Sequence, residues 1–201
     1  AKPCEGDVAA AIAAVAAEQQ VTLTMLATHG RTGVNRMVLG SITDEVVRST
    51  TGAVLVVHAG HATGGDTKQV RRILLPLDGS ALSETALPYA VQYATAFGAT
   101  LNVIQVAPLA AMALATAPEL VLPEGLDEQI QANAATYLQS VQAKLPAGLA
   151  CELHVLRASA AEGIIDHTEQ TKADLIVMST HGRSGIARWT LGSVADKVLR
   201  G

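Results

Sequence analysis

Aromatic side chains are nearly missing from this sequence: one Trp, three Tyr and one Phe among 201 residues. That leaves almost nothing on which to stack bases, and argues against a platform for single-stranded nucleic acid. Charge is sparse as well. Charged residues make up 16 %, and 18 acidic against 14 basic residues leave a formal net charge of −4. A chain of that sign offers no electrostatic footprint for nucleic acid or an anionic membrane surface. Its two cysteines, Cys4 and Cys151, are too few for a disulfide framework, so a reducing cytoplasm is the expected compartment. No apolar run reaches the ~18 residues of a spanning helix. The Ala-rich stretch over residues 1–20 carries Glu5, Asp7 and Glu18 without a basic leader, so it does not read as a signal peptide. Apolar residues are abundant, at 49 %, which supports a sizeable core and excludes a disordered chain.

The sequence also holds a repeat. Thr28-His29-Gly30-Arg31-Thr32-Gly33 returns as Thr180-His181-Gly182-Arg183-Ser184-Gly185, an offset of 152. At that offset residues 28–48 and 180–200 agree at 12 of 21 positions without a gap. Such a period implies two copies of a unit of ordinary domain size. Two full copies need more residues than the chain holds. The expected division is therefore residues 1–59 as the C-terminal part of a first domain, 60–70 as a polar, Gly-rich linker, and 71–201 as a second domain lacking its last strand.

Within the second copy, Arg72–Asp78 reads as a strand buried on both faces, from its continuous Ile73, Leu74, Leu75 and Leu77. Ser80 can cap a helix to about Phe97, and Thr100–Val106 is a second strand. Residues 107–124 form a long connection, and Asp127 can cap a helix with Ile130, Ala134, Leu138, Val141 and Leu145 on one stripe. Ala150–Arg157 alternates like an edge strand, Ser159 and Glu162 form a capping box, Asp174–Ser179 is a buried strand, and Gly192-Ser193 opens a last helix. In the first copy, Asp7–Gln20 is a helix, Val21–Ala27 a strand, Ser41–Ser49 a helix and Ala53–His58 a strand. Strands alternating with helices predict an α/β fold, a parallel sheet covered on both faces.

The chemistry concentrates in one constellation. Strand Asp174–Ser179 runs into a glycine-rich loop that ends at a helix start. Gly182 permits a tight departure, Gly185 keeps a second backbone position open, and Gly192 and Ser193 stand where helix N–H groups lack intrahelical partners. Those N–H groups and the helix dipole suit an anion, and Arg183 in the same loop can reach a phosphate. Neither copy places a Lys after its last glycine, which excludes a P-loop NTPase. Asp78, at the end of the first strand of the second copy, faces the same crevice if that strand neighbours Asp174–Ser179, and a carboxylate there can accept from a ribose hydroxyl or an adenine amine. Plainer roles stand beside these. Asp78 before Gly79-Ser80 suits a turn, and the glycine loop suits a structural connection. His29 and His181 suit backbone positioning, Cys151 and Met178 suit core packing, and Trp189 suits either a loop anchor or a partner contact.

These residues resemble the universal stress protein family over essentially the whole chain, as two partial tandem copies. ATP-binding members of that family carry Gly-x2-Gly-x9-Gly-Ser/Thr. Here Gly182, nine residues, Gly192 and Ser193 fit, while Ser179 replaces the first glycine. In the first copy the equivalents are Ala27, Gly30, Gly40 and Ser41, with Arg31 and Gly33 completing a half-site. The resemblance implies a parallel five-stranded, doubly wound, Rossmann-like sheet. It implies ATP, with Mg2+ as a companion. Pro76, Leu77 and Asp78 would meet the nucleoside, as would Val103. Met178 and Ser179 would line the base or ribose pocket. His181, Gly182, Arg183, Gly185, Gly192, Ser193 and Val194 would cradle the phosphates. In the family the last strand lies at the sheet edge and joins domains, so Ala53–His58 would pair with a second chain in a homodimer. The alternative is that it slots beside Asp174–Ser179. Three functions compete: a nucleotide-binding stress-response module, a dimeric interaction protein without nucleotide, and a slow ATPase. The last lacks paired carboxylates or a nucleophile–base pair in the sequence.

Overall fold

The computed structural model describes residues 7–27, 39–50, 52–58, 69–107, 123–180 and 191–201. The chain divides into two compact units: Ala1–Thr67 with Ile186–Leu191 and Leu199–Gly201, and Lys68–Gly185 with Gly192–Val198.

In the first unit, α1 (Val8–Glu18) is capped by Asp7, whose Oδ1 accepts the Ala9 N–H at 2.9 Å. Strands β1 (Leu23–Ala27) and β2 (Ala53–Val57) pair in parallel, Leu23 opposite Ala53 and Ala27 opposite Val57. Between them runs α2 (Ser41–Ser49), the span that the sequence predicts. It buries Thr43, Val46 and Val47 and carries an i,i+4 pair, Arg48 Nε to Asp44 Oδ2 at 2.9 Å. Thr43 Oγ1 donates to the Ala27 carbonyl at 3.1 Å, tying this helix to the end of β1. Within this unit β2 is hydrogen-bonded to β1 along its whole length.

The second unit is built on β3 (Arg72–Leu77), β4 (Thr100–Val106), β5 (Cys151–Leu156) and β6 (Leu175–Ile176), all parallel in the order β5-β4-β3-β6. This is a doubly wound order, with the chain reversing direction of growth between β3 and β6. The expected fifth strand has no counterpart in this sheet among the described residues. β5 lies at the edge, as its alternation predicts. Because strand side chains alternate, the sheet feeds two cores. Ile73, Leu75, Leu77, Leu101 and Val103 pack with Ala90 and Ala94 of α3 (Leu87–Phe97) and Leu138 and Val141 of α4 (Leu126–Gln142). Leu74 and Ile104 pack with Ile164 of α5 (Ala160–Thr171) and Val198 of α6 (Ser193–Arg200). Each fully buried Leu or Ile contributes about 1.5–3 kcal/mol.

Helix starts depart from the sequence reading in three places. Ser80 caps a first turn, but Ser83–Ala86 is 3-10 helix and the regular helix begins at Leu87. Pro88 has no N–H to return to the preceding turn, which suits it only to the first positions of a helix. Asp127 lies inside the first turn of α4; the cap is Gly125 at φ 74°, a left-handed position that glycine takes without strain. At Ser159 the hydroxyl bonds the Glu162 carboxylate at 2.5 Å and makes no bond to the helix backbone, so the reciprocal box is not closed. Farther along α5, Gly163 presses on β4: a Cβ there would lie 3.2 and 3.3 Å from the Val106 methyls and 3.0 Å from Ala158 Cβ.

The repeat extends to local structure. Asp7 and Ser159 are caps, and Gln20 and Lys172 both take a left-handed φ of 51° just past their helices. Val21 N–H closes on the Ala16 carbonyl at 2.9 Å, and Ala173 N–H on that of Thr168 at 3.0 Å. Helices α2 and α6 begin at Ser41 and Ser193, with Asp44 N–H to Gly40 O at 2.9 Å and Asp196 N–H to Gly192 O at 2.8 Å. Each pair is 152 residues apart.

Candidate functional site at the strand crossover

The switch point between β3 and β6 decides where a ligand crevice forms. At the amino end the two strands are clamped. Asp174 Oδ2 accepts the N–H groups of Arg71 and Arg72 at 2.9 and 3.1 Å, and Asp174 N–H donates to the Arg72 carbonyl at 2.9 Å. The ladder then runs through Ile73–Leu175 and Leu74–Ile176, ending with Val177 N–H on the Leu74 carbonyl at 2.9 Å. The next donor on this side of β3 belongs to residue 76, and Pro76 has none. Of the predicted strand Asp174–Ser179, Leu175–Ile176 is the part in regular strand paired with β3.

Past this ladder, Asp78 follows β3, and Met178, Ser179 and Thr180 follow β6. Asp78 Oδ1 accepts the N–H of Ser80 at 2.9 Å and its hydroxyl at 2.6 Å. The Asp78 N–H donates to Ser83 Oγ at 3.3 Å, and Ser80 Oγ accepts the Ser83 N–H at 3.1 Å. With Gly79 at φ 83°, this makes a closed polar turn. One carboxylate oxygen of Asp78 thus holds the turn, so the plainer role is present whether or not a ligand is also met. Pro76 and Leu77 are buried. Val103 has no exposed surface and belongs to the core under α3 and α4, so its side chain lines no open pocket. Met178 packs against the core formed with Ile164 and Val198.

On the other wall, Gly192 is the cap position of α6 and Ser193 its first residue. Of the predicted Gly192-Ser193 opening, Gly192 takes the cap, because Asp196 N–H donates to its carbonyl. Gly192 N–H donates to the Thr180 carbonyl at 2.9 Å, joining the two ends of the glycine loop. The N–H groups of Ser193, Val194 and Ala195 belong to the helix's first turn and have no intrahelical acceptor. In the first unit, Gly40 and Ser41 occupy the same places at the head of α2. His181, Gly182, Arg183 and Gly185, and likewise Gly30, Arg31 and Gly33, lie outside the described residues.

Sequence reasoning missed two contributors. Thr180 was visible as part of the repeated Thr-His-Gly, yet its carbonyl role depends on the loop's closure. The second is a brace behind the Asp78 turn. Glu84 accepts from the Tyr137 hydroxyl at 3.2 Å and from Lys144 Nζ at 2.8 Å, fixing the 3-10 turn to α4. Hydrogen bonding from Lys144 holds the Glu84 carboxyl below its usual range. Burial, then the charge of Glu84, pushes the Tyr137 phenol up to about 12. Among the described residues no group of three His, Cys, Asp or Glu is placed to hold a metal ion, and no helix is long and apolar enough to cross a membrane.

The family model described as the universal stress protein family matches residues 2–58 and 69–201. The universal stress protein MJ0531 of Methanocaldococcus jannaschii is 31 % identical over 135 residues, covering 65 % of this chain and 76 % of its own length. A universal stress protein of Mycolicibacterium smegmatis is 27 % identical over 184 residues, covering 92 % of this chain; the match spans 60 % of that relative's length. The solved structure of a universal stress protein from Archaeoglobus fulgidus superposes with a TM-score of 0.63 at 19 % identity, over 100 % of this chain and 64 % of that one. At that identity the likeness speaks for the fold.

Proposed function

Because the chain belongs to the universal stress protein family, we propose that its second repeat is a nucleotide-binding stress-response module that holds ATP at the β3–β6 crossover. The observation that carries this is the crossover itself: β3 and β6 are neighbours at which the strand order reverses, with the Asp78 turn following β3 and the head of α6 tied to Thr180 just past β6. The N–H groups of Ser193 and Val194 would face phosphate oxygens, and the helix dipole favours the negative charge. The Asp78 turn and Met178-Ser179 would border the nucleoside, and His181, Gly182, Arg183 and Gly185 would close the loop over the phosphates. The donors would be backbone N–H groups with the Arg183 guanidinium beside them, so the arrangement binds and orients; a bound nucleotide would supply the phosphate chemistry, with Mg2+ as its companion. No paired carboxylates among the described site residues favour hydrolysis, so binding is preferred over a slow ATPase.

On this reading the chain is a tandem of two family units, divided near residues 60–70, acting in the cytoplasm without nucleic acid or membrane. The Gly40–Ser41 helix head in the first unit has no aspartate-bearing strand beside it among the described residues, so the first unit holds only half a pocket. Denaturing the purified chain should release adenine nucleotide, and calorimetric titration should give at most one ATP per chain. Two equal sites, or none, would overturn the reading. Asp78→Ala should weaken binding by roughly 1–3 kcal/mol, and Gly182→Val should block backbone approach to phosphate.

One observation favours a second, compatible role. β2 is apolar throughout and Val57 is 43 % exposed, the profile of an edge seeking a partner. A homodimer through Ala53–His58 should sediment at twice the chain mass and shift towards monomer in Val57→Lys.

A further inference from the structure

Away from the crossover, part of the buried sheet face beneath α5 is polar. β4 and β5 run in register, with Asn102 opposite Glu152 and Ile104 opposite His154. Ile104 packs with Ile164 of α5. Side chains two apart on a strand share a face, so Asn102, Glu152 and His154 stand on the side that α5 covers. His167 of α5 meets them there: its ring centroid lies 4.9 Å from that of His154. Asn102 and His167 are 1 and 7 % exposed. Among the described residues, His154 Nε2, His167 Nε2 and both amide atoms of Asn102 are buried without a hydrogen-bond partner. Dry, unpaired polar groups cost stability. Packing does not require one at this place, because 152 residues before His167 the repeat puts Val15, within α1. The titratable groups that act on His167 belong to β5: His154, and Glu152, whose Oε2 is 3.6 Å from His154 Nε2. β4 presents the uncharged Asn102 and Ile104, β3 Leu74 and α6 Val198. Asp166 and Glu169 of α5 itself are exposed.

We propose that the two rings form an acid-operated latch: uncharged, they seat the C-terminal half of α5 on β4 and β5, and a proton taken up by His167 lifts that half off the sheet. In the seated position the new charge would stand in a dry site beside a second imidazole, while the carboxylate of Glu152 is placed against His154. Burial, and then His154, hold the His167 pKa below its usual value, so the proton is taken up on opening. The end of α5 is loosely fastened. It stops at Lys172 in a left-handed φ of 51°, which residues other than glycine take reluctantly. Ala173 and Asp174 then lead straight into β6, so the latch governs the seating of the segment that feeds the crossover. It holds whether or not the crossover binds a nucleotide.

Hydrogen exchange of the full chain, followed by mass spectrometry at about pH 7.5 and about pH 5 and corrected for intrinsic exchange, reads the latch directly. Amides of residues 165–171 should lose protection at least about tenfold at the lower pH, while those of β3 and β4 keep theirs. His167→Val, which installs the residue of the first repeat, and His167→Gln, which stays polar but takes no proton, should both abolish the loss. Thermal melts near neutral pH should show both variants folded. His154→Leu, which removes the neighbouring ring, should shrink the loss. Protection that is the same at both pH values overturns the proposal. So does a loss that persists in either His167 variant, or one shared equally by β3 and β4, which would be global unfolding. A loss unchanged in His154→Leu would leave His167 acting alone and overturns the pair.

Discussion

The amide of Gly192 donates to the carbonyl of Thr180 at 2.9 Å, so the loop that leaves β6 is closed where α6 begins. This commits the N–H of the cap residue to the loop, while the next three N–H groups have no acceptor within the helix. Gly192→Pro removes that donor. The expected result is a loss of about 1 kcal/mol of stability, a drop in Tm of about 2–4 °C, together with weaker ATP binding by calorimetry. A lower Tm with unaltered affinity would separate the closure from the site.

Pro76→Val restores an N–H on β3 opposite the Val177 carbonyl. The ladder between β3 and β6 should lengthen and the protein should gain about 0.5–1.5 kcal/mol. Hydrogen exchange should find the new amide protected. Narrowing the crossover should also weaken ATP binding, measured in the same calorimetric titration.

The Tyr137–Glu84 brace makes a prediction at high pH. The free phenol ionises near 10.0 and the folded one near 12. The folded state therefore keeps its proton longer, and its stability falls as pH rises through that interval. Absorbance titration should show a phenolate step near pH 12 that disappears in Tyr137→Phe and moves down in Glu84→Gln.

His167 offers the opposite test. Its ring lies 4.9 Å from that of His154, and His154 Nε2 is 3.6 Å from Glu152 Oε2. Burial first, then the neighbouring His154, lowers the His167 pKa below 6.5, with Glu152 acting weakly the other way. A depressed histidine stays neutral in the folded state while the unfolded chain takes up a proton. Stability is thus full above 6.5 and declines on acidification below it. His167→Phe should flatten the dependence of the urea midpoint on pH between about 7 and 5. An unchanged slope would assign the acid sensitivity elsewhere.

Much of this was written locally. The run Ile73–Leu75 announced a strand buried on both faces, and Ser41–Ser49 announced both ends of α2. The repeated Thr-His-Gly and Leu-Gly-Ser announced that one strand-to-helix connection occurs twice. What stayed hidden depends on neighbours distant in the chain. The regular strand within Asp174–Ser179 is shorter than its apolar run suggests because pairing depends on β3, where Pro76 has no N–H to offer. Val103 looked available to a ligand until α3 and α4 closed over it. His154 and His167 are unremarkable apart, and become a pair only when α5 is laid on the sheet. The head of α4 went to Gly125 over Asp127 because a left-handed turn precedes it, which side-chain chemistry alone does not reveal.

Gly163 leaves no room for a methyl between α5 and the side chain of Val106. The helix is thus cut to the strand beneath it: Gly163→Ala should push α5 off β4 by a few tenths of an ångström and lower stability although alanine is the better helix former, and trimming the wall with Val106→Ala should recover part of that loss.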